Sequence, residues 1–184
     1  LLLGEYGLFN RKGDIDRSER VFLLMSKDRG VIWETGKLQR PPDPILLRMS
    51  FANDQVGWAV GESGAIQRTI DGGATWTLQE TPTRKLLYDV AAIDEARAWA
   101  VGAGGTILRT VDGGRNWDEQ SSGVDQTLRA VHFVDSKRGW AVGAKGAILS
   151  TVNGGARWQR QYSGVELNLN DVVFLNRKES TGEA

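Results

Sequence analysis

The sequence predicts an all-β fold, namely a β-propeller of four-stranded antiparallel blades. Two signatures recur in register, about 41 residues apart. The segments between them alternate apolar and polar residues and are bounded by Gly, Asp and Asn, a pattern typical of short strands and turns. A repeat of about 40 residues with four short strands has the size of one propeller blade.

The first signature is Gly-Trp-Ala-Val-Gly at residues 57–61. It returns at residues 139–143, and at 98–102 with Ala98 in place of the first glycine. A leucine keeps the same register in every unit, at Leu46, Leu87, Leu128 and Leu169. These matches predict repeat units at about 1–45, 46–86, 87–127 and 128–168, followed by a final strand at 169–176, within a single domain that covers residues 1–184.

The second signature is Ser/Thr-x-Asp-x-Gly-x-x-Trp, the Asp-box. Asp or Asn accepts hydrogen bonds from nearby backbone amides, here expected two residues on, and glycine supplies positive φ, so the motif predicts a tight turn. Its tryptophan is expected to fold back as an apolar plug. The four copies comprise Ser26, Asp28, Gly30 and Trp33; Thr69, Asp71, Gly73 and Trp76; Thr110, Asp112, Gly114 and Trp117; and Thr151, Asn153, Gly155 and Trp158.

The unit at 128–168 shows the expected blade most clearly. We predict its four strands at residues 128–134, 139–142, 147–151 and 158–162. The N-terminal unit is longer, and we interpret its extra residues as a hairpin in which 8–11 and 21–25 flank a charged tip at 13–20. Pro41, Pro42 and Pro44 mark a stiff connection to the next unit.

The two ends of the chain complement each other. The chain starts at a second strand and ends, at 171–175, with a first strand. Pairing them would seal a four-bladed ring and remove exposed sheet edges. The alternative is a section of a larger ring, for example one of seven blades, and we favour this section.

Composition excludes several classes of site. The 184 residues include 23 basic and 23 acidic side chains, no cysteine and one histidine, His132. A balanced charge disfavours a nucleic-acid binder, and without Cys and with a single His we expect no metal site and no cofactor. No apolar run approaches the length of about 20 residues that spans a bilayer. Because the first residue is Leu rather than Met, we expect that an upstream segment has been lost, by processing or by truncation.

The combined motif G-W-A-V-G-x-x-G-x-I-x-x-T-x-D-G-G-x-x-W resembles the BNR/Asp-box repeats of the photosystem II stability and assembly factor family. The resemblance covers residues 46–176 well and 1–45 loosely. It implies a non-catalytic propeller, seven-bladed in that family, which assists assembly of a membrane protein complex in the thylakoid lumen or periplasm. An extracytoplasmic location and a protein partner follow as expectations, whereas the oligomeric state does not follow.

Two alternatives remain: a sialidase-like glycosidase or glycan-binding lectin, and a structural repeat module of a longer protein. The box carboxylates are committed to turns, and Arg68 and Arg109 are repeat equivalents that we expect to cover a blade edge, so we predict no catalytic residue. Residues just after the fixed leucine vary between repeats and are expected to face the entrance of the ring. The predicted partner-binding residues are Arg84, Lys85, Tyr88 and Arg129.

Overall fold

The computed structural model describes residues 44–174 throughout and, before them, residues 2–5, 8–9, 15–16, 21–25, 31–32 and 34–36. The first part of the chain forms five strands. They are β1 (Leu2–Glu5), β2 (Leu8–Phe9), β3 (Ile15–Asp16), β4 (Val21–Met25) and β5 (Glu34–Gly36). β1, β4 and β5 form a three-stranded sheet, and β2 pairs only with β3.

The N-terminal hairpin therefore differs from the prediction. Residues 21–25 pair antiparallel with Leu2–Glu5 rather than with residues 8–11. The inserted hairpin consists of Leu8–Phe9 and Ile15–Asp16, and β3 lies within the segment that was predicted to be the charged tip. The sheet β1-β4-β5 thus has the second, third and fourth strands of a blade. The first Asp-box, from Ser26 to Trp33, falls largely outside the described residues, as do Pro41 and Pro42.

Three complete blades follow, as predicted. Each is a four-stranded antiparallel sheet whose strands are ordered as in the chain. The strands are β6 (Leu46–Phe51), β7 (Gly57–Gly61), β8 (Ile66–Thr69) and β9 (Thr77–Gln79); β10 (Leu87–Ala92), β11 (Ala98–Gly102), β12 (Ile107–Thr110) and β13 (Asp118–Glu119); and β14 (Leu128–Phe133), β15 (Gly139–Gly143), β16 (Ile148–Thr151) and β17 (Gln159–Gln161). The strands of the last blade lie within one residue of their predicted bounds.

The hydrophobic core lies between neighbouring blades. The first strands β6, β10 and β14 lie against one another, and the leucine at the start of each one is buried. Trp58 and Trp99, on second strands, are 0% exposed. Trp58 packs with residues of its own blade and of the following one, among them Leu87 and Trp117, and Trp99 packs likewise with the last blade. Blades are thus held together by large apolar side chains that two sheets share.

The residues after the last complete blade do not form the predicted final strand. Residues 169–174 have no strand assignment, because no described strand pairs with them. They nevertheless take the position of a first strand. Phe174 stacks on Trp140 with 3.9 Å between ring centroids, just as Phe133, 41 residues earlier, stacks on Trp99 at 3.8 Å. The described pairings do not join this segment to β1, so the sealed four-bladed ring is not formed.

The Asp-box turn is stabilised by its threonine and its carboxylate together. The Thr69 hydroxyl donates to Asp71 Oδ1 at 2.8 Å and accepts from the amide of Gly73 at 2.8 Å. The carboxylate accepts from the amide of Thr75 at 2.9 Å, four residues on rather than the two that we expected. The box at Thr110 repeats this arrangement, and the box at Thr151 keeps it with Asn153 as the acceptor.

These hydrogen bonds shift the carboxyl groups. Bonds from the side chain and amide of Thr75 lower the pKa of Asp71 to about 2. Bonds from the amide and side chain of Asn116 lower the pKa of Asp112 to about 2. Both residues are half-buried, and the hydrogen bonds of the turns, not burial, lower the two pKa values.

Acid should therefore weaken the two Asp turns but not the Asn turn. A carboxyl whose pKa is lower in the folded chain stabilises the fold above its unfolded value of about 3.9 and loses that contribution as the pH falls toward 2. We expect the double variant Asp71→Asn, Asp112→Asn to lose less stability than wild type between about pH 4 and pH 2, measured by urea unfolding. Asn153→Asp is the matched control and should increase the loss. Equal pH slopes in all three proteins would contradict this account of the turns.

The box tryptophan is expected to act as a core residue. Trp117 is 5% exposed and packs with Trp58. Trp117→Ala should lower the free energy of unfolding by about 3–5 kcal/mol, since it removes a buried aromatic ring. Leu78→Ala on an outer strand, where Leu78 is 64% exposed, should change it by less than about 0.5 kcal/mol. Denaturant unfolding would compare the two, and a Trp117→Ala curve equal to wild type would disprove the plug.

Candidate protein-docking surface

The inner rim is the surface formed by the starts of the first strands and by residues 169–171. Its members follow the fixed leucine of each unit in two equivalent rows. The rows are Leu47, Tyr88, Arg129 and Asn170, and Arg48, Asp89, Ala130 and Asp171. In each blade the start of the first strand pairs with the end of the second, as Leu87 does with Gly102, whereas Thr110 pairs with Ala98. The Asp-box turns therefore lie at the opposite end of the blades.

Two of the predicted partner-binding residues meet on this rim. Arg129 Cζ lies 5.8 Å from the centroid of the Tyr88 ring, a cation–π contact between neighbouring blades. Arg129 Nε is shielded from water and has no hydrogen-bond partner among the described residues. Both side chains are half-buried. Stacking on the aromatic ring fixes the orientation of the guanidinium, which favours hydrogen bonds of defined geometry to a partner.

Arg84 and Lys85 lie on the loop before β10, and both are exposed. The Lys85 amide is fixed by the Thr83 hydroxyl at 3.1 Å. The Lys85 side chain extends along the turn Ala103–Gly105, because a Cβ on Gly104 would lie 3.6 Å from its Nζ. Arg84 lines a groove with Pro44 and Glu80. The described contacts do not join these two cations to the Tyr88–Arg129 pair, so the four residues flank one end of a blade without forming a single cluster.

Asp89 is the residue whose role the sequence did not reveal. Its Oδ2 accepts a hydrogen bond of 2.9 Å from the amide of Val131, on the first strand of the next blade. Burial raises the pKa of Asp89 to about 6, the amides of Val131 and Val90 and the charge of Arg48 oppose that rise, and the charge of Asp171 adds to it. The only sequence signal was an acidic residue in a strand with apolar neighbours.

The charge of the inner rim depends on Asp89. The inner rim carries two arginines, Arg48 and Arg129, and two acidic residues, Asp89 and Asp171, and the charges of Arg48 and Asp171 both act on Asp89. When Asp89 takes up a proton, the arginines exceed the carboxylates, and the rim becomes more attractive to an acidic partner. The arrangement suits binding; we identify in it no pair of groups placed for acid–base chemistry.

The arginines at the other end of the blades cover blade edges. Arg68 Cζ lies 5.4 Å from the Trp58 ring centroid, and its Nη2 donates to the carbonyl of Glu95 at 3.2 Å. Arg109 Cζ lies 5.8 Å from the Trp99 ring in the same way. Each guanidinium thereby covers a tryptophan of its own blade, and that of Arg68 is also hydrogen-bonded to the next blade. His132, beside Phe174 with ring centroids 5.9 Å apart, is a packing residue of the last blade.

The family comparison decides what this propeller section is. The family model described as photosynthesis system II assembly factor YCF48 matches residues 75–129 and 117–179, which together make up more than half of the chain. The chain belongs to this family. The predicted resemblance is therefore confirmed, and with it the BNR-repeat propeller. No curated protein matches the chain.

Solved structures of the family share this fold. A structure of YCF48 bound to D1 peptide is 26% identical, with a TM-score of 0.58 over 64% of this chain and 41% of that one. YCF48 from Cyanidioschyzon merolae is also 26% identical, with a TM-score of 0.58 over 68% of this chain and 42% of that one. The present chain thus spans about two fifths of those proteins.

Glycoside hydrolases share the fold at lower identity. The crystal structure of an ancestral GH74 enzyme is 18% identical, with a TM-score of 0.59 over 79% of this chain and 22% of that one. At this identity the likeness concerns the fold alone.

Among the described residues no helix is long and apolar enough to cross a membrane.

The burial of Asp89, which raises its pKa to about 6, predicts a pH effect on stability. A carboxyl whose pKa is higher in the folded chain binds protons there that the unfolded chain has released, so stability falls as the pH rises from about 4 to 6. Asp89→Asn keeps an oxygen for the Val131 amide and should remove this part of the slope. Asp125→Asn, at an exposed site, is the control and should leave it unchanged. Chemical unfolding at pH 4, 5, 6 and 7 would test this, and parallel curves for Asp89→Asn and wild type would refute it.

Proposed function

We propose that this chain is a non-catalytic propeller section that binds a protein partner and assists the assembly or stability of a membrane protein complex outside the cytoplasm. The observation that carries the proposal is membership of the YCF48 assembly factor family. A second support is that a similar protein, YCF48, has been solved with D1 peptide bound to it. A peptide is thus a form of partner that a protein of this fold has been found to bind.

The inner rim is the surface that we assign to the partner. Its first strands pack against one another across neighbouring blades, so the side chains at their starts are held by a rigid support. Tyr and Arg are enriched among residues that dominate binding energy, and here Tyr88 and Arg129 are in contact across two blades. Arg84 and Lys85 add exposed positive charge beside that pair, which favours a partner segment that carries carboxylates.

The experiment measures binding of a labelled D1 peptide by fluorescence anisotropy. The triple variant Arg84→Gln, Lys85→Gln, Arg129→Gln should weaken binding by about tenfold or more, which corresponds to about 1.4 kcal/mol. The matched control is Arg115→Gln, Lys137→Gln, Arg157→Gln, which removes the same charge from exposed residues at the Asp-box end. It should bind as wild type does. Unchanged affinity in the first variant would remove the inner rim from consideration.

A pull-down from detergent-solubilised membranes extends the test to a whole complex. Wild type should enrich one membrane protein complex, and the inner-rim variant should lose it while the control retains it. The absence of a specific partner in both assays would overturn the assembly role. Turnover of aryl glycosides or sialosides by the pure chain would overturn the non-catalytic assignment instead.

A further inference from the structure

The last complete blade carries an open groove that is separate from the inner rim. Residues of the turn Ala144–Gly146, of β17 and of the loop after it line this groove, whose volume is about 360 Å³. Lys145, Arg160 and Tyr162 are among the lining residues, and all three are exposed. Glu166 lines the groove too, but among the described residues neither cation forms an ion pair. The groove therefore carries a net positive charge beside an aromatic ring.

The other two complete blades carry different side chains at the equivalent positions of the repeat. The position of Arg160 is held by Leu78 and Glu119, that of Tyr162 by Glu80 and Ser121, and that of Lys145 by Ser63 and Gly104. The combination of two cations with an aromatic ring is thus particular to the last complete blade. The three blades share their strands and turns, so the fold itself does not require this combination.

The backbone holds Lys145 in a fixed direction. Its φ is +54°, in the left-handed region that favours glycine, and the middle blade has Gly104 at this position. The amide of the next residue, Gly146, donates to the Leu167 carbonyl at 2.7 Å, which ties the turn to the loop after β17. The turn therefore presents the Lys145 side chain to the groove at a cost in backbone energy that glycine would avoid.

The strand β17 also offers main-chain hydrogen-bonding groups to the groove. Among the described residues it is the edge of its sheet and pairs only with β16. In the preceding blade the Gln120 amide donates to the Ile107 carbonyl at 2.8 Å, and the equivalent residues, Gln161 and Ile148, lie opposite each other in the same way. Because hydrogen-bonded and non-hydrogen-bonded pairs alternate in antiparallel strands, the amide and the carbonyl of Arg160 point away from β16.

We propose that this groove binds an acidic, extended segment of a protein partner, which adds to β17 as a fifth strand of the last complete blade. Side chains alternate between the two faces of a strand, so Arg160 and Tyr162 share one face, and every second side chain of the segment meets that face. Carboxylates there pair with Arg160 and Lys145, and Tyr162 packs against the segment. The middle blade disfavours the same segment, because its edge strand consists of Asp118 and Glu119. The groove is a second surface, and its role does not depend on binding at the inner rim.

Fluorescence anisotropy with a labelled peptide of alternating Glu and Val tests the charge of the partner. Wild type should bind this peptide at least about tenfold more tightly than a peptide of alternating Lys and Val. The double variant Lys145→Gln, Arg160→Gln should weaken binding by about tenfold or more. The matched control Lys137→Gln, Arg157→Gln removes two exposed cations from the Asp-box end of the same blade and should bind as wild type does.

Three results of that assay would overturn the groove as the site. They are no binding of the Glu-Val peptide by wild type, equal affinity of the two double variants, and loss of binding in the inner-rim variant while the groove variant retains it. The last result would leave the inner rim as the acidic-peptide site, so failure of the groove and failure of the inner rim are distinguishable.

Hydrogen exchange at single amides tests the addition of a strand. In the free chain the Arg160 amide, which points away from β16, should exchange fast, whereas the Gln161 amide should exchange slowly. Saturation with the Glu-Val peptide should slow exchange at Arg160 by about tenfold or more and leave Gln161 unchanged. Arg160→Pro removes the outward amide at an edge where proline is tolerated, so it should bind more weakly than Arg160→Gln. An unchanged exchange rate at Arg160 under saturation would overturn the strand pairing, as would equal binding by the proline and glutamine variants.

Discussion

The contact between the second-strand tryptophan of one blade and the Asp-box turn of the next is the interaction on which the packing of the blades depends. Trp99 Nε1 donates to the carbonyl of Gly154 in the following blade at 3.1 Å. A Cβ on Gly155, whose φ is +88°, would lie 3.1 Å from the same nitrogen. Glycine is therefore required there for two reasons, the positive φ and the close approach of a neighbouring indole. The two signatures recur in register because each is one half of an interblade contact.

This contact also explains why the two ends of the blades differ in what they can bind. At the Asp-box end, the threonine and the carboxylate are occupied by hydrogen bonds within the turn. The arginine there covers a tryptophan ring, and Arg68 also donates to the Glu95 carbonyl in the next blade. A substitution there alters the packing of two blades at once. At the inner rim, the residue after the fixed leucine has no such duty and changes in every unit, from Leu47 to Tyr88 to Arg129. Binding specificity can therefore diversify at one end of the blade while the other end preserves the fold.

The repeat made most of this architecture predictable, and the errors fall where one unit differs from the others. The periodicity located the strands of the last blade within one residue, because turns and buried residues recur with it. The N-terminal hairpin was wrong because, in an insertion, nothing in the local pattern says which of several short strands pair. The carboxylates of Asp94 and Asp135, which accept two amide hydrogens each in the turn between first and second strands, were missed. The equivalent residue in the first complete blade is Asn53, which accepts the same two amide hydrogens, so a search for identical residues does not find the repeat.

The candidate site was predicted only as a set of positions. Tyr88 and Arg129 were named because their residue types vary in a regular repeat, yet their mutual contact depends on the angle between blades, which no single unit encodes. The role of Asp89 needs the same information, since its carboxylate binds an amide 42 residues away. Among the described residues, first strands of separate blades share no ladder of backbone hydrogen bonds. Asp89 supplies a polar bond between two of them, as Ser50 does by accepting from the Ala92 amide at 3.0 Å. Asp89 therefore has two roles: it contributes to the contact between two blades, and it sets part of the charge that a partner would meet at the inner rim. A partner that binds better when Asp89 is protonated must also shift the equilibrium that holds the two blades together.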